Sequence, residues 1–207
     1  MTRKILLCTA LTILCFTSTY AQDDDLKAGF KIGFNSSNVY DSYGEDFVAD
    51  PKVGFAAGGF LSIPFDKHFG LQPELLISQK GFRGQGRLAG SNYSFKRTST
   101  FIDIPILFQV KPIEYITLLA GPQYSFLTNQ RDVYTYGTNS LAQEQEFNNE
   151  NIRKNILGFS LGVDFNLKPA VIAIRYGFDL QQNRGDGTST TPRYKNVWLQ
   201  LMAGFKF

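Results

Sequence analysis

Gly158-Phe159-Ser160-Leu161-Gly162 has the G-x-S-x-G spacing of a nucleophile elbow, where a serine on a strained strand-to-helix turn is activated by a histidine base. The rest of that chemistry is missing. The five residues fall inside a strictly alternating run, and the one histidine of the chain, His68, belongs to a distant turn segment. A serine without a base is a poor nucleophile, so no catalytic residue is assigned and no enzyme activity is expected. One histidine, with Cys8 and Cys15 confined to the extreme N-terminus, excludes the usual zinc sites, and Asp23-Asp24-Asp25 reads as a solvated acidic run, so neither metal nor cofactor is expected. Arg184-Gly185-Asp186 is a tripeptide used in some adhesive contacts, although Asp186-Gly187 is equally an ordinary turn. The residues with a collective role are eight charges on the polar faces of alternating segments: Lys31, Glu74, Lys80, Asp103, Asp164, Arg175, Asp179 and Lys206. Enclosed together, four cations and four carboxylates must pair. Arg175, near mid-segment, is the natural hub, with Glu74, Asp103 or Asp164 as partners.

The elements that would hold these charges follow from composition and period. Of 207 residues, 19% are charged and 14% aromatic, with 19 Gly and 19 Phe. That charge is below the usual ~25%, and the Phe, Tyr and Gly content favours a β-rich chain over a disordered tail, a coiled coil or a helical enzyme. A net charge of +3, spread along the chain, offers no nucleic-acid footprint. The clearest segment sets Leu157, Phe159, Leu161, Val163, Phe165 and Leu167 against Gly158, Ser160, Gly162, Asp164 and Asn166. A period of two this strict excludes a helix. Seven further segments alternate likewise, beginning near Phe30, Val53, Leu71, Ile102, Leu118, Val171 and Val197. Pro73, Pro105 and Pro122 lie inside three of them, where a lost ladder donor predicts a bulge or a strand end.

Connections alternate between short and long. Pro64 to Lys67, Lys111 to Glu114 and Lys168-Pro169 are tight turns by composition. Ser36–Asp50, Gly81–Tyr93, Thr128–Lys154 and Gln181–Tyr194 are long and polar, and the third could hold a short helix. Arg3 and Lys4, an apolar run from Ile5 to Phe16, and Thr19-Tyr20-Ala21 make residues 1–21 a cleaved secretory signal. Its removal leaves 19 basic against 18 acidic residues and no thiol. No later stretch is apolar enough for a membrane helix, so a closed barrel is the other way across a bilayer. A soluble, lipocalin-like cup would present the same alternation with its faces reversed. The bulky residues occupy the apolar face while glycines crowd the polar one, and aromatics gather near segment ends, which favours the membrane. The fold expected for residues 22–207 is therefore an all-β, eight-stranded antiparallel up-and-down transmembrane barrel, with short turns and both chain ends in the periplasm and long loops outside.

Several phrases also have a family character: Glu74-Leu75-Leu76-Ile77-Ser78-Gln79-Lys80-Gly81, Ile102-Asp103-Ile104-Pro105-Ile106-Leu107, Gly121-Pro122-Gln123-Tyr124-Ser125-Phe126-Leu127, Arg175-Tyr176-Gly177 and Gly204-Phe205-Lys206-Phe207. Through them the chain from about Leu26 resembles the outer-membrane β-barrel family abundant in Bacteroidota, the PorT-like or porin family proteins. The resemblance implies an outer-membrane location and brings no catalytic residue with it. The role expected is structural or surface-interacting, with a lumen plugged by side chains. The alternatives are a narrow porin for small solutes and an accessory subunit of a secretion machine. Outer-membrane lipid, the barrel-assembly machinery and a protein at the extracellular loops are the expected partners.

Overall fold

The computed structural model describes residues 26–40, 49–88, 91–136, 139–145, 153–183 and 194–207. Residues 1–21, Asp23-Asp24-Asp25 and Arg184-Gly185-Asp186 lie outside the described residues. Nine strands are present among those described: β1 Lys27–Tyr40, β2 Ala49–Pro64, β3 Phe69–Leu88, β4 Ser91–Ile113, β5 Ile116–Tyr136, β6 Asn139–Gln145, β7 Asn155–Leu167, β8 Ala170–Asp179 and β9 Lys195–Lys206. Eight of them, all but β6, form one antiparallel meander that closes where β1 pairs with β9, from Gly29 opposite Lys206 to Tyr40 opposite Lys195. β4 and β7 flank β5 in the closed wall, and β6 is a spur added to the upper half of β5, Gln130 opposite Gln145 through Tyr136 opposite Asn139.

Alternation decides the two faces. Phe30, Ile32, Phe34, Leu75, Ile77 and Leu201 are exposed, while the intervening Lys31, Asn35, Glu74, Ser78, Lys80 and Gln200 are buried. An apolar exterior around a polar interior inverts the usual arrangement of a water-soluble domain and is the pattern of a barrel in lipid. Aromatic pairs mark both rims of the apolar belt. Phe30 meets Phe205 at 5.6 Å and Phe69 meets Phe108 at 5.9 Å near the short-turn end. Tyr124 meets Phe126 at 4.7 Å and Tyr176 meets Phe178 at 6.2 Å near the other. Glycines let large interior groups approach the wall. A Cβ on Gly177 would collide with the Trp198 ring opposite it, so the indole packs directly against bare backbone.

Two expectations are corrected. The prolines neither break nor bulge their strands: Pro73 pairs with Ile106, Pro105 with Gln123 and Pro122 with Phe159 in unshifted register. The irregularities fall instead between Pro51 and Ala56, between Thr100 and Phe101, and between Val110 and Ile113. Two of the segments read as long loops, Gly81–Tyr93 and Thr128–Lys154, are largely strand. β3 and β4 continue to Leu88 and from Ser91, β5 runs on to Tyr136, and residues 139–145 are strand rather than the helix anticipated in the third connection. Strands of 20 to 23 residues reach ~65 to 75 Å, well over twice the ~25 Å apolar band of such barrels. Beyond the belt their outer face carries exposed Arg83, Lys96 and Arg131. There the outer face is polar while Phe82, Phe95 and Tyr194 pack together inside, so the alternation loses its apolar-outward sense while the strand persists.

Candidate functional site

The interior is a column of polar side chains stacked from the short-turn end upward. At its centre β1, β3, β7 and β8 contribute Lys31, Glu74, Asp164 and Arg175. Lys31 Nζ lies 2.9 Å from Glu74 Oε1 and 3.2 Å from Asp164 Oδ2. Arg175 Nη2 lies 3.2 Å from Glu74 Oε1, and Nη1 lies 2.6 Å from Asp164 Oδ1. That last contact is an ion pair without hydrogen-bond alignment; Glu74 Oε2 and Arg175 Nε also have no hydrogen-bond partner among the described residues. Each cation thus touches both carboxylates, the four formal charges cancel, and none of these side chains is more than 2% exposed. The Phe60 ring closes one side, its centroid 4.3 Å from the Lys31 ammonium.

Below the centre, Gln72 Nε2 donates to Glu74 Oε1 at 2.7 Å, Gln109 Nε2 donates to Gln72 Oε1 at 2.6 Å, and Ser62 Oγ donates to Gln109 Oε1 at 3.2 Å. Nearer the short-turn end, Asn166 donates to Thr117 Oγ1 at 2.9 Å and accepts from Lys206 Nζ at 2.8 Å. Above the centre, Lys80 Nζ pairs with Asp103 Oδ1 at 3.1 Å, and Ser78 Oγ donates to the other Asp103 oxygen. The Lys80 ammonium lies 3.8 Å from the Trp198 centroid. Asp179 accepts from both the backbone and the side-chain nitrogen of Asn196. The top is held by Arg97, whose Nε and Nη2 donate to the two Asp132 oxygens at 2.8 and 2.6 Å, while Nη1 donates to the Tyr194 hydroxyl at 3.0 Å.

Of the eight residues singled out from sequence, four meet at the centre, Lys80 and Asp103 form a second pair, and Asp179 and Lys206 stand apart with neutral amide partners. Asp103 serves Lys80, so the carboxylates around Arg175 are Glu74 and Asp164. The Arg97–Asp132 pair escapes sequence reading because Asp132 lies within, and Arg97 just beyond, segments that read as loops. A signal for it exists, because Phe95, Arg97 and Ser99 alternate with Lys96 and Thr98 in the period of the strand they extend. Ser160 is 2% exposed in mid-β7 opposite Gly121 and Gly177, while His68 sits in the turn at the short-turn end. No group of three or more His, Cys, Asp or Glu suited to a metal occurs among the described residues.

Comparison with known proteins matches residues 20–185 to the family model described as outer membrane protein beta-barrel domain. Among solved structures the chain is similar to the attachment invasion locus protein Ail of Yersinia pestis, at 16% identity over 87% of this chain and 98% of that one, TM-score 0.45. It is similar also to Neisserial surface protein A, at 11% identity over 88% and 97%, TM-score 0.47. A third likeness is to a major outer membrane protein of Thermus thermophilus, at 17% identity over 87% and 99%, TM-score 0.46. No curated protein matches the chain at a significant level.

Proposed function

The chain belongs to the outer membrane protein β-barrel domain family, and from that premise we propose that it is a non-enzymatic barrel whose lumen is closed by its own side chains and whose outer extension meets a partner. The observation that carries this reading is the central cluster, in which four charges on four strands pair with one another rather than line a path. An eight-stranded barrel is just wide enough for side chains to fill it, and a pore would leave these groups facing water. The unbroken chain of bonds from Ser62 through Gln109 and Gln72 to Glu74 supports the same closure.

The orientation follows the rule for such barrels, short turns in the periplasm and long excursions outside, with residues 1–21 acting as the export signal. On that orientation the extended β3–β6 sheet stands outside the cell. A sheet with exposed Arg83, Lys96 and Arg131 on its outer face and the β6 spur along its side favours a role in surface contact, and the PorT-like resemblance makes an envelope-machinery subunit one form of that role. The burial of Ser160 away from any base supports the absence of serine chemistry.

The test is single-channel conductance in a planar bilayer, after heat-modifiable gel mobility has shown that the refolded protein is a closed barrel. A silent barrel is the expected result. Reproducible open steps that change with Arg175→Ala would replace this reading with a narrow porin.

A further inference from the structure

We infer that the short-turn mouth of the barrel is a binding site for a phosphate-bearing anion. The mouth encloses a cavity of about 950 Å³, within the range of small-ligand sites. Cationic side chains outnumber acidic ones around its wall. Lys27 on β1, Lys67 and His68 in the β2–β3 turn, Lys111 at the end of β4, Lys168 in the β7–β8 turn and Lys206 on β9 all line it, and Glu114 is the only acidic side chain there. The cations thus come from separate strand ends around the rim, a ring rather than a run of neighbours in sequence. Lys168 stands 3.6 Å from Glu114, with both side chains more than half exposed, so that pair is weak. Lys206 is held by Asn166, whose amide oxygen orients the ammonium without neutralising it.

The far wall is built from buried polar groups, Ser62, Thr117 and Asn166, already bonded to one another or to Gln109 and Lys206, so an anion entering the mouth meets a polar floor rather than an apolar one. Beyond them lie Gln72 and Gln109 and then the Glu74 and Asp164 carboxylates, which repel an anion. The mouth therefore binds without passing its ligand onward. That last point rests on the closed-lumen reading; the binding itself does not. The surplus of cationic over acidic side chains at one cavity favours a ligand of multiple negative charge. The belt rim formed by Phe30, Phe205, Phe69 and Phe108 lies at this end, which puts the mouth at headgroup depth. Lipid phosphate and a soluble oligophosphate share the chemistry that this ring would recognise.

The test is calorimetric titration of inorganic tripolyphosphate into the full protein, extracted from membranes and reconstituted in phosphatidylcholine nanodiscs at low salt. Saturable binding is expected, weakened about tenfold by Lys111→Gln with Lys206→Gln and tightened a few-fold by Glu114→Gln, which removes the one acidic side chain of the lining at an exposed site. In discs containing phosphatidylglycerol, a fall in apparent affinity would identify the lipid headgroup as the occupant, and an unchanged affinity would identify a soluble anion; either supports the site. Absence of saturation by folded protein, or an affinity indifferent to both Glu114→Gln and the lysine changes, overturns it. Conductance reads the closed lumen separately, so an open channel and an empty mouth are distinct failures.

Discussion

Replacing Arg175 by Ala isolates the central cluster and measures how dry it is. The change removes two cation contacts, 2.6 Å to Asp164 and 3.2 Å to Glu74, and leaves Lys31 alone between two carboxylates. At an effective dielectric near 20, a pair of unit charges ~3 Å apart attracts by about 5 kcal/mol before desolvation is subtracted. Stranding one partner of a buried pair costs about 3 to 5 kcal/mol, because the orphaned charge stays behind without water. With a urea dependence of about 2 kcal/mol per molar, the unfolding midpoint should fall by roughly 1.5 to 2.5 M. Trp198 is the only tryptophan, is 2% exposed and packs against Lys80, so its fluorescence reports loss of the interior directly. Pairing the loss of one cation with the loss of one anion, as Arg175→Met with Glu74→Gln, leaves Lys31 and Asp164 balanced and should recover at least half the deficit. A single variant within about 1 kcal/mol of the parent, with nothing regained in the double variant, would mean that the charges are individually hydrated and that the closed-lumen reasoning is wrong.

Gly177→Val puts methyl groups where the Trp198 ring already stands, and overpacking of this kind costs about 1 to 3 kcal/mol; the gel-shift melting temperature should drop by several degrees and the Trp198 emission should move. Asp66 accepts from the backbone nitrogens of His68 and Phe69 at 2.7 and 2.8 Å, and these bonds hold its carboxyl below the ordinary value of 3.8. A carboxyl lowered in the folded state stabilises above its unfolded pKa and loses that contribution as pH falls through the folded one. The thermal-midpoint advantage of the parent over Asp66→Asn, present at pH 7, should therefore vanish on acidification below the usual carboxylate range; an advantage that grows on acidification would contradict the assignment. Deleting residues 139–145 should leave heat-modifiable mobility unchanged, because β6 pairs only with the outer part of β5 and the ring closes without it; loss of the folded band would show that the spur supports closure.

The belt was legible because lipid and lumen impose opposite demands on successive residues. Leu157 through Leu167 therefore announces its strand, its two faces and the inward direction of Asp164 without any tertiary information. The partners across the lumen were harder. Lys31 and Arg175 are far apart in sequence, and their common height depends on strand stagger, which alternation does not encode; hence Asp103 was an equal candidate for Arg175 until register placed it beside Lys80. Arg97 and Asp132 were lost for a different reason. Once a strand leaves the bilayer, the outward residue is Lys96 or Arg131 instead of Ile or Phe while Phe82 and Phe95 turn inward, so the sense of the alternation reverses although the backbone is unchanged. Pro105 misled because proline's missing donor is a penalty only where the ladder needs that donor.

The pairing of β1 with β9 joins the two ends of the chain, whereas every other contact in the wall links strands adjacent or nearly adjacent along it. Assembly can thus zip hairpin by hairpin, leaving one contact of very long loop to be made last, the slow event expected of such topology. Lys31 sits on that seam and its two carboxylates on β3 and β7, so the central cluster completes itself only when the seam shuts in the right register. A slip of one residue would turn Lys31 towards hydrocarbon and Ile32 inward against the carboxylates. The buried charges then act less as cement than as a proofreading mark: they make the misaligned barrel far worse than the open one, so the chain is free to reopen and try again.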